Sequence, residues 1–253
     1  MILKDGSPTP VLVIIFCIGT FLMRSAGCVI NDFFDRDFDG KVERTKNRPL
    51  VTGQVKGFEA ITLFFILVSL SASLLFWTNK LTVIIACIGL IITVIYPLTK
   101  RFFELPQVFL GLAFSWGILM VSAAELDKIS STSLIIFSAC FFWIMAYDTA
   151  YAMSDREGDL SIGLKSSAIT FGKYSQKLII TFHLISLCLW SFSGFVEKIN
   201  PIFYASIIIC LVLVFFQFSL IRDENPEKCF IAFKRNNWIG ISILLGTIFS
   251  SIL

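Results

Sequence analysis

An all-α bundle of membrane helices is the fold class this sequence predicts, on three observations. Hydrophobic residues make up 56% of the 253 positions and charged residues only 15%. With a mean hydropathy of +0.83, that mix suits a polytopic membrane protein rather than a soluble domain. The apolar residues are gathered into runs close to the roughly 20 residues that a bilayer span needs. The runs are also uniformly apolar, whereas a barrel would alternate polarity over segments of about 10 residues. Lipid cannot satisfy an open backbone, so helices are expected. One domain covers residues 1–253.

Eight spans follow in order, with charge marking the joints. The first, 10–31, ends in an acidic cluster, and a loop with Arg36, Lys41, Arg44, Lys46, Arg48 and Lys56 leads to 57–77. Lys80 separates that span from 81–99, and Lys100 and Arg101 separate 81–99 from 105–124. Lys128 precedes 131–153; Arg156, Lys165, Lys173 and Lys177 mark the way into 176–195. Lys198 precedes 200–221, and Arg222, Lys228, Lys234 and Arg235 precede 237–253. No small-residue cleavage site follows the first run, so a removed signal peptide is not expected.

Sixteen cations thus fall on alternate loops of one side and four on the other, with Arg24 inside the first span. The positive-inside rule makes the rich side cytoplasmic and puts both termini outside. The net charge of +3 matters less than this asymmetry.

Seven of the ten aspartates lie in two clusters on the cation-rich side. The first is Asn31-Asp32-Phe33-Phe34-Asp35-Arg36-Asp37-Phe38-Asp39, and the second runs from Asp148 through Asp155-Arg156-Glu157-Gly158-Asp159. On a helix, Asn31, Asp32, Asp35 and Asp39 share one face, as do Asp148, Asp155 and Asp159. Asp37 and Glu157 fall off those faces and read as solvated bystanders.

Crowded carboxylates repel unless they are protonated or bridged by a cation. Oxygen donors without histidine or cysteine suit Mg²⁺, which completes its shell with water and substrate phosphate. Two such sets could bind a diphosphate and stabilise its departure, with Arg44, Arg48, Lys100, Arg101 and Lys165 near the outer oxygens. A solvated, charge-balanced loop is the bland alternative. An EF-hand is poorly matched, since the twelfth-position ligand is missing.

Arg24 lies mid-span, where a cation is costly. It either pairs with an intramembrane acid or carbonyl, or binds an anionic substrate group. The seven cysteines contain no CxxC pair and read as small buried hydrophobes. The one histidine, His183, has no second histidine near it and reads as a packing residue. The rival functional class is a carboxylate-based ion or proton transporter, which would place its acids nearer the membrane midplane.

The string NDFFDRDFD resembles the NDxxDxxxD motif of the UbiA superfamily of intramembrane prenyltransferases, and DREGD resembles its second motif. LMRSAGCVINDFFDRDFDGKVERTKNRPLVTG, YPLTKRFFELPQVFLGLAFSWGI and YDTAYAMSDREGDLSIGLKSSAITFG are similar to the 4-hydroxybenzoate polyprenyltransferase branch. The resemblance runs from about residue 10 to the end and argues against haem, naphthoate or chlorophyll-precursor acceptors.

What it implies is a bundle of nine helices around a central cavity, joining a polyprenyl diphosphate to the 3-position of 4-hydroxybenzoate for ubiquinone biosynthesis. The implied cofactor is Mg²⁺. Asn31, Asp32, Asp35 and Asp39 would serve the first metal side, and Asp155 and Asp159 the second, with Asp148 in support. Of these, Asp35, Asp39, Asp155 and Asp159 would be catalytic. Arg24, Arg44, Arg48, Lys100, Arg101 and Lys165 would contact the diphosphate or the aromatic carboxylate.

Gly158 departs from the frequent third acid of the second motif. Against the nine helices of the family, the resemblance implies that the first is absent from this sequence, an expectation that matches the eight spans counted. The expected setting is a bacterial inner membrane with the site on the cytoplasmic side. The expected partners are the two substrates and the lipid bilayer, without nucleic acid or an obligate protein partner.

Overall fold

The computed structural model describes residues 8–40 and 45–252, and among these it contains helices and no strands. The helices are α1 (Pro10–Asp39), α2 (Gly57–Leu74), α3 (Lys80–Thr99), α4 (Pro106–Leu126), α5 (Ser131–Ile162), α6 (Ser167–Phe171), α7 (Ser175–Val196), α8 (Phe203–Ile221), α9 (Pro226–Arg235) and α10 (Asn237–Ile252).

Their starts follow from local chemistry. Proline, which lacks the amide hydrogen a first turn leaves unpaired, opens α1, α4 and α9. The side chains of Asn79, Ser130 and Asn225 accept the N–H groups of Thr82, Ser133 and Lys228 at 2.9, 3.0 and 3.0 Å. These are the donors that the first turns of α3, α5 and α9 cannot pair internally. Helix α5 stops at Gly163, whose φ of +72° is an αL cap that a glycine adopts without a Cβ clash.

Among the described residues, seven stretches are long and apolar enough to cross a membrane: α1, α2 with its following turn to Trp77, α3, α4, α5, α6 with α7, and α8. The eighth predicted span is also helical. At 16 residues, α10 is about 24 Å long at 1.5 Å per residue. Helices α1 and α5 run past the apolar spans 10–31 and 131–153, to Asp39 and Ile162, so both acidic segments are helical as their spacing predicts. No glycine or proline interrupts the first motif before Gly40, and in the second Gly158 alone does not break α5. The carboxylates therefore ride on helix, not loop.

Packing gives the bundle its order. Helix α1 lies against α2, α3 and α4; α4 bridges to α5; α5 packs on α7 and α9; α8 joins α7 to α10. Small residues set the closest approaches, as in other membrane bundles. A Cβ added at Gly111 of α4 would meet Phe141 of α5 at 2.9 Å, and one at Gly246 of α10 would strike Ser206 of α8. The outer faces stay apolar and uncovered by protein, with Phe21, Phe65, Ile91 and Phe215 exposed. A multi-pass membrane protein accounts for that surface. His183 is buried beside Gln217 in this packing, and the seven cysteines are free thiols.

Candidate active site

The first motif turns its acids inward as the helical spacing predicts. Asp35 and Asp39 are buried and Asp32 is half-buried, while Asp37 is exposed beside Arg36. Burial of a carboxylate requires a partner, and the following loop and α3 supply them. Arg48 Nη1 donates to Asp39 Oδ2 at 2.6 Å and lies 2.9 Å from Asp32 Oδ1, so one guanidinium joins two acids two turns apart. Asn31 hydrogen-bonds the Asp32 carboxylate from the same turn. Thr45 Oγ1 donates to the Asp39 carbonyl at 2.9 Å.

At the end of α3, Lys100 Nζ donates to Asp35 Oδ2. The neighbouring Arg101 donates to the Phe34 carbonyl and lies over the Phe38 ring at 5.2 Å.

The second motif stands at the same mouth of the bundle. Lys165, just past α5, donates its backbone N–H to the Lys100 carbonyl at 2.9 Å. Its ammonium donates to Glu104 Oε1 at 3.1 Å and to the Phe102 carbonyl at 3.2 Å. Asp155 and Asp159 are half-buried on α5 and Glu157 is exposed, again as the spacing predicts.

Asp148 lies deeper and is buried. Its carboxylate is hydrogen-bonded by Gln107 of α4, whose Oε1 accepts the Ser167 N–H at 2.9 Å. Thr149 and Ser167 complete that polar knot with a hydroxyl pair at 2.9 Å. Arg24 faces the same depth: its guanidinium sits over the Phe114 ring at 4.9 Å and within the electrostatic reach of Asp148 and Tyr147. Arg44, expected at the mouth, lies outside the described residues.

Several residues at this mouth were not singled out from the sequence. Gln107 is one; its signal is a carboxamide inside an apolar run, which must find a partner when buried. Tyr147 is another. With Trp143 and Tyr151, which flanks the second acidic face in sequence, it steps along α5 at i,i+4 intervals toward Asp155. Trp143 and Tyr147 lie 5.5 Å apart, Tyr147 and Phe233 5.9 Å, and Tyr151 and Phe233 4.8 Å between ring centroids. Beyond Trp143 the stripe reaches an apolar pocket of about 370 Å³ lined by Val121, Trp190, Phe203, Ile243 and Leu244. The tyrosine spacing was visible in the sequence, but the α9 rings that complete the stripe are about 80 residues away and came together only through the fold.

The site fits a divalent cation by its chemistry. The described donors are oxygens, and Asp35 Oδ1 is buried without a hydrogen-bond partner. Among the described residues, no three acidic, histidine or cysteine side chains converge into a cage. The seven residues expected around metal stand instead as two groups, Asn31, Asp32, Asp35 and Asp39 on α1 and Asp148, Asp155 and Asp159 on α5. That arrangement suits Mg²⁺, which takes one or two carboxylates and leaves room for phosphate oxygens and water.

Fold and site together define a multi-pass helical membrane protein with two sets of carboxylates and several cations toward one mouth of the bundle. Residues 1–239 match the UbiA prenyltransferase family, and the chain belongs to it. A 4-hydroxybenzoate octaprenyltransferase of Aeromonas hydrophila is 42% identical over 244 residues, covering 96% of this chain and 85% of that one. The protein of the same description from Marinomonas sp. is 44% identical over 247 residues, covering 97% and 87%.

Solved structures agree on the fold. A UbiA homolog from Aeropyrum pernix K1 superposes with a TM-score of 0.83 at 23% identity, over 96% of this chain and 92% of that one. A UbiA homolog from Archaeoglobus fulgidus, bound to GPP and Mg²⁺, superposes at 0.71 with 19% identity, over 93% and 89%.

Proposed function

We propose that the protein transfers a polyprenyl group from a polyprenyl diphosphate to the 3-position of 4-hydroxybenzoate, a step toward ubiquinone. We place it in a bacterial inner membrane with its site on the cytoplasmic side. The observation that carries the reading is the identity of 42 to 44% to octaprenyltransferases of that acceptor across nearly the whole chain. The two carboxylate helix ends at one mouth give it a chemical basis.

Asn31, Asp32, Asp35 and Asp39 on one side, and Asp155 and Asp159 on the other, would hold Mg²⁺, with Asp148 in support. When bound, the ion supplies neutralising charge to the departing diphosphate. Arg48, Lys100, Arg101 and Lys165, with Arg44, bind and orient the outer phosphate oxygens, a task suited to bidentate guanidinium and compact ammonium groups. Arg24, held over Phe114, binds the carboxylate of the aromatic acid.

The stripe Tyr151, Tyr147 and Trp143 guides the prenyl chain toward the apolar pocket, and its ring faces stabilise a nearby cation. The allylic carbon–oxygen bond breaks, and its electron pair leaves with the diphosphate. The ring carbon ortho to the hydroxyl attacks the allylic carbon, a carbon–carbon bond forms, and the ring proton leaves to restore aromaticity. The apolar walls exclude the water that would otherwise trap the cation.

Membranes containing the protein are expected to prenylate 4-hydroxybenzoate with Mg²⁺ present and to stop on chelation. Asp35→Ala and Asp155→Ala should each abolish transfer while the protein remains in the membrane. Full activity in both variants sinks the two-cluster reading.

A further inference from the structure

We propose that Arg156 is a positioning residue for the second carboxylate set, acting through a clamp with Glu224; the proposal rests on the function read above. Arg156 follows Asp155 directly in α5, yet its side chain leaves the acidic face. Its Nη1 donates to Glu224 Oε2 at 2.6 Å. Its Nη2 donates to Ser175 Oγ at 3.1 Å and to the Gly172 carbonyl at 3.3 Å.

One guanidinium therefore ties three segments together: the end of α5, the turn into α7, and the loop between α8 and α9. The far side of the clamp is itself braced. Glu224 Oε1 accepts from Gln176 Nε2 at 3.2 Å, and the same amide donates to the Arg222 carbonyl at 3.0 Å. Ser175 Oγ lies 2.7 Å from the Gly172 carbonyl. Glu224 holds a φ of +52°, a region that a non-glycine residue occupies only when its surroundings fix it.

The consequence for the site is geometric. Helix α5 carries Asp155 and Asp159 on its last turns, beyond its apolar run. Each residue of helix turns by about 100°, so even partial unwinding or rotation of that end would swing both carboxylates off the mouth. Side chains on α4 and α6 hold the helix at Asp148. Near Asp155, Arg156 adds three bonds, toward the turn into α7 and the α8–α9 loop, to the packing of α5 on α7 and α9. A displacement of about 1 Å at a reacting group can cost on the order of 100-fold in rate, so a remote clamp is enough to govern the reaction.

The test uses the full-length protein in detergent or nanodiscs. Arg156→Gln, Arg156→Lys, Glu224→Gln and the Arg156→Gln/Glu224→Gln pair are compared with wild type. The readouts are Mg²⁺-dependent binding of geranyl thiolodiphosphate by calorimetry, prenyl transfer to 4-hydroxybenzoate, and thermal unfolding. Arg156→Gln and Glu224→Gln are each expected to raise the Mg²⁺ concentration needed for half-maximal binding by about tenfold and to lower kcat more than the KM for 4-hydroxybenzoate, at the scale set by misplacement. Arg156→Lys should recover part of the loss, and the pair should be no worse than the worse single variant.

A fall in thermal stability with an unchanged Mg²⁺ requirement overturns the positioning role, as do losses that add in the pair. Should Arg156→Gln fail to fold, Glu224→Gln, which keeps a hydrogen-bonding partner, decides alone by the same Mg²⁺ criterion. If wild type binds the analogue with Mg²⁺ but does not prenylate 4-hydroxybenzoate, the acceptor reading fails. The binding arm still judges the clamp.

Discussion

Asp148 shows how a single residue position links stability to the site. It is buried, and its carboxylate depends on Gln107, which also accepts the first N–H of α6 from Ser167. Replacing Gln107 with leucine keeps the volume and removes both bonds. An unsatisfied buried polar group costs about 1–3 kcal/mol, so the loss should be near 2 kcal/mol, or about 4–8 °C in thermal unfolding for a chain of this size. Prenyl transfer should fall with it, because Asp148 and the turn that holds Lys165 both shift. A melting curve that overlays wild type would show that the amide is dispensable. The acids at the mouth were legible from spacing alone, since a helix puts Asp32, Asp35 and Asp39 on one face whatever surrounds it. Their partners were not. Lys100 meets Asp35 across 65 positions and Arg156 meets Glu224 across 68, and no local pattern encodes such a pairing.

At the level of helices, apolar run length located the spans, while the spacing of the acids showed that two helices run on past them. A bilayer rule counts residues in hydrocarbon, whereas a helix continues until a residue breaks it or its caps are filled. Helices α1 and α5 therefore carry their motifs out of the apolar region on continuous helix, which keeps the acids in register. Helix α10 illustrates the converse dependence on packing. Gly246 lies so close to α8 that an added Cβ would come within 2.5 Å of Ser206 Cβ. Gly246→Leu should push α10 off α8 at a cost of about 1–3 kcal/mol, the usual range for overpacking. The apolar pocket beside Ile243 should deform as well. Long prenyl donors should then lose more kcat/KM than geranyl diphosphate does, as measured with a donor series in membranes. Equal losses for all donors would separate the pocket from the prenyl chain.

For the molecule as a whole, the claim that carries the most weight is orientation, because it puts the acidic mouth on one side of the bilayer. The helix order gives the internal consistency: α1, α3 and α5 end at the mouth that Lys100 and Lys165 share, so the loops after them and the α8–α10 connection lie on one side. Positive charge in short loops favours retention in the cytoplasm, and those loops hold most of the cations. Asp127 and Lys128, between α4 and α5, belong to the opposite side. A cysteine placed at Asp127 should therefore react with a membrane-impermeant maleimide added to intact cells. A cysteine at Glu157 or Lys173 should react only after the membrane is opened. The native cysteines at 17, 28, 87 and 188 sit in apolar helices, where such a reagent does not partition, so they give little background. Labelling at Glu157 in intact cells would invert the molecule and put the diphosphate site outside, where a cytoplasmic donor could not reach it.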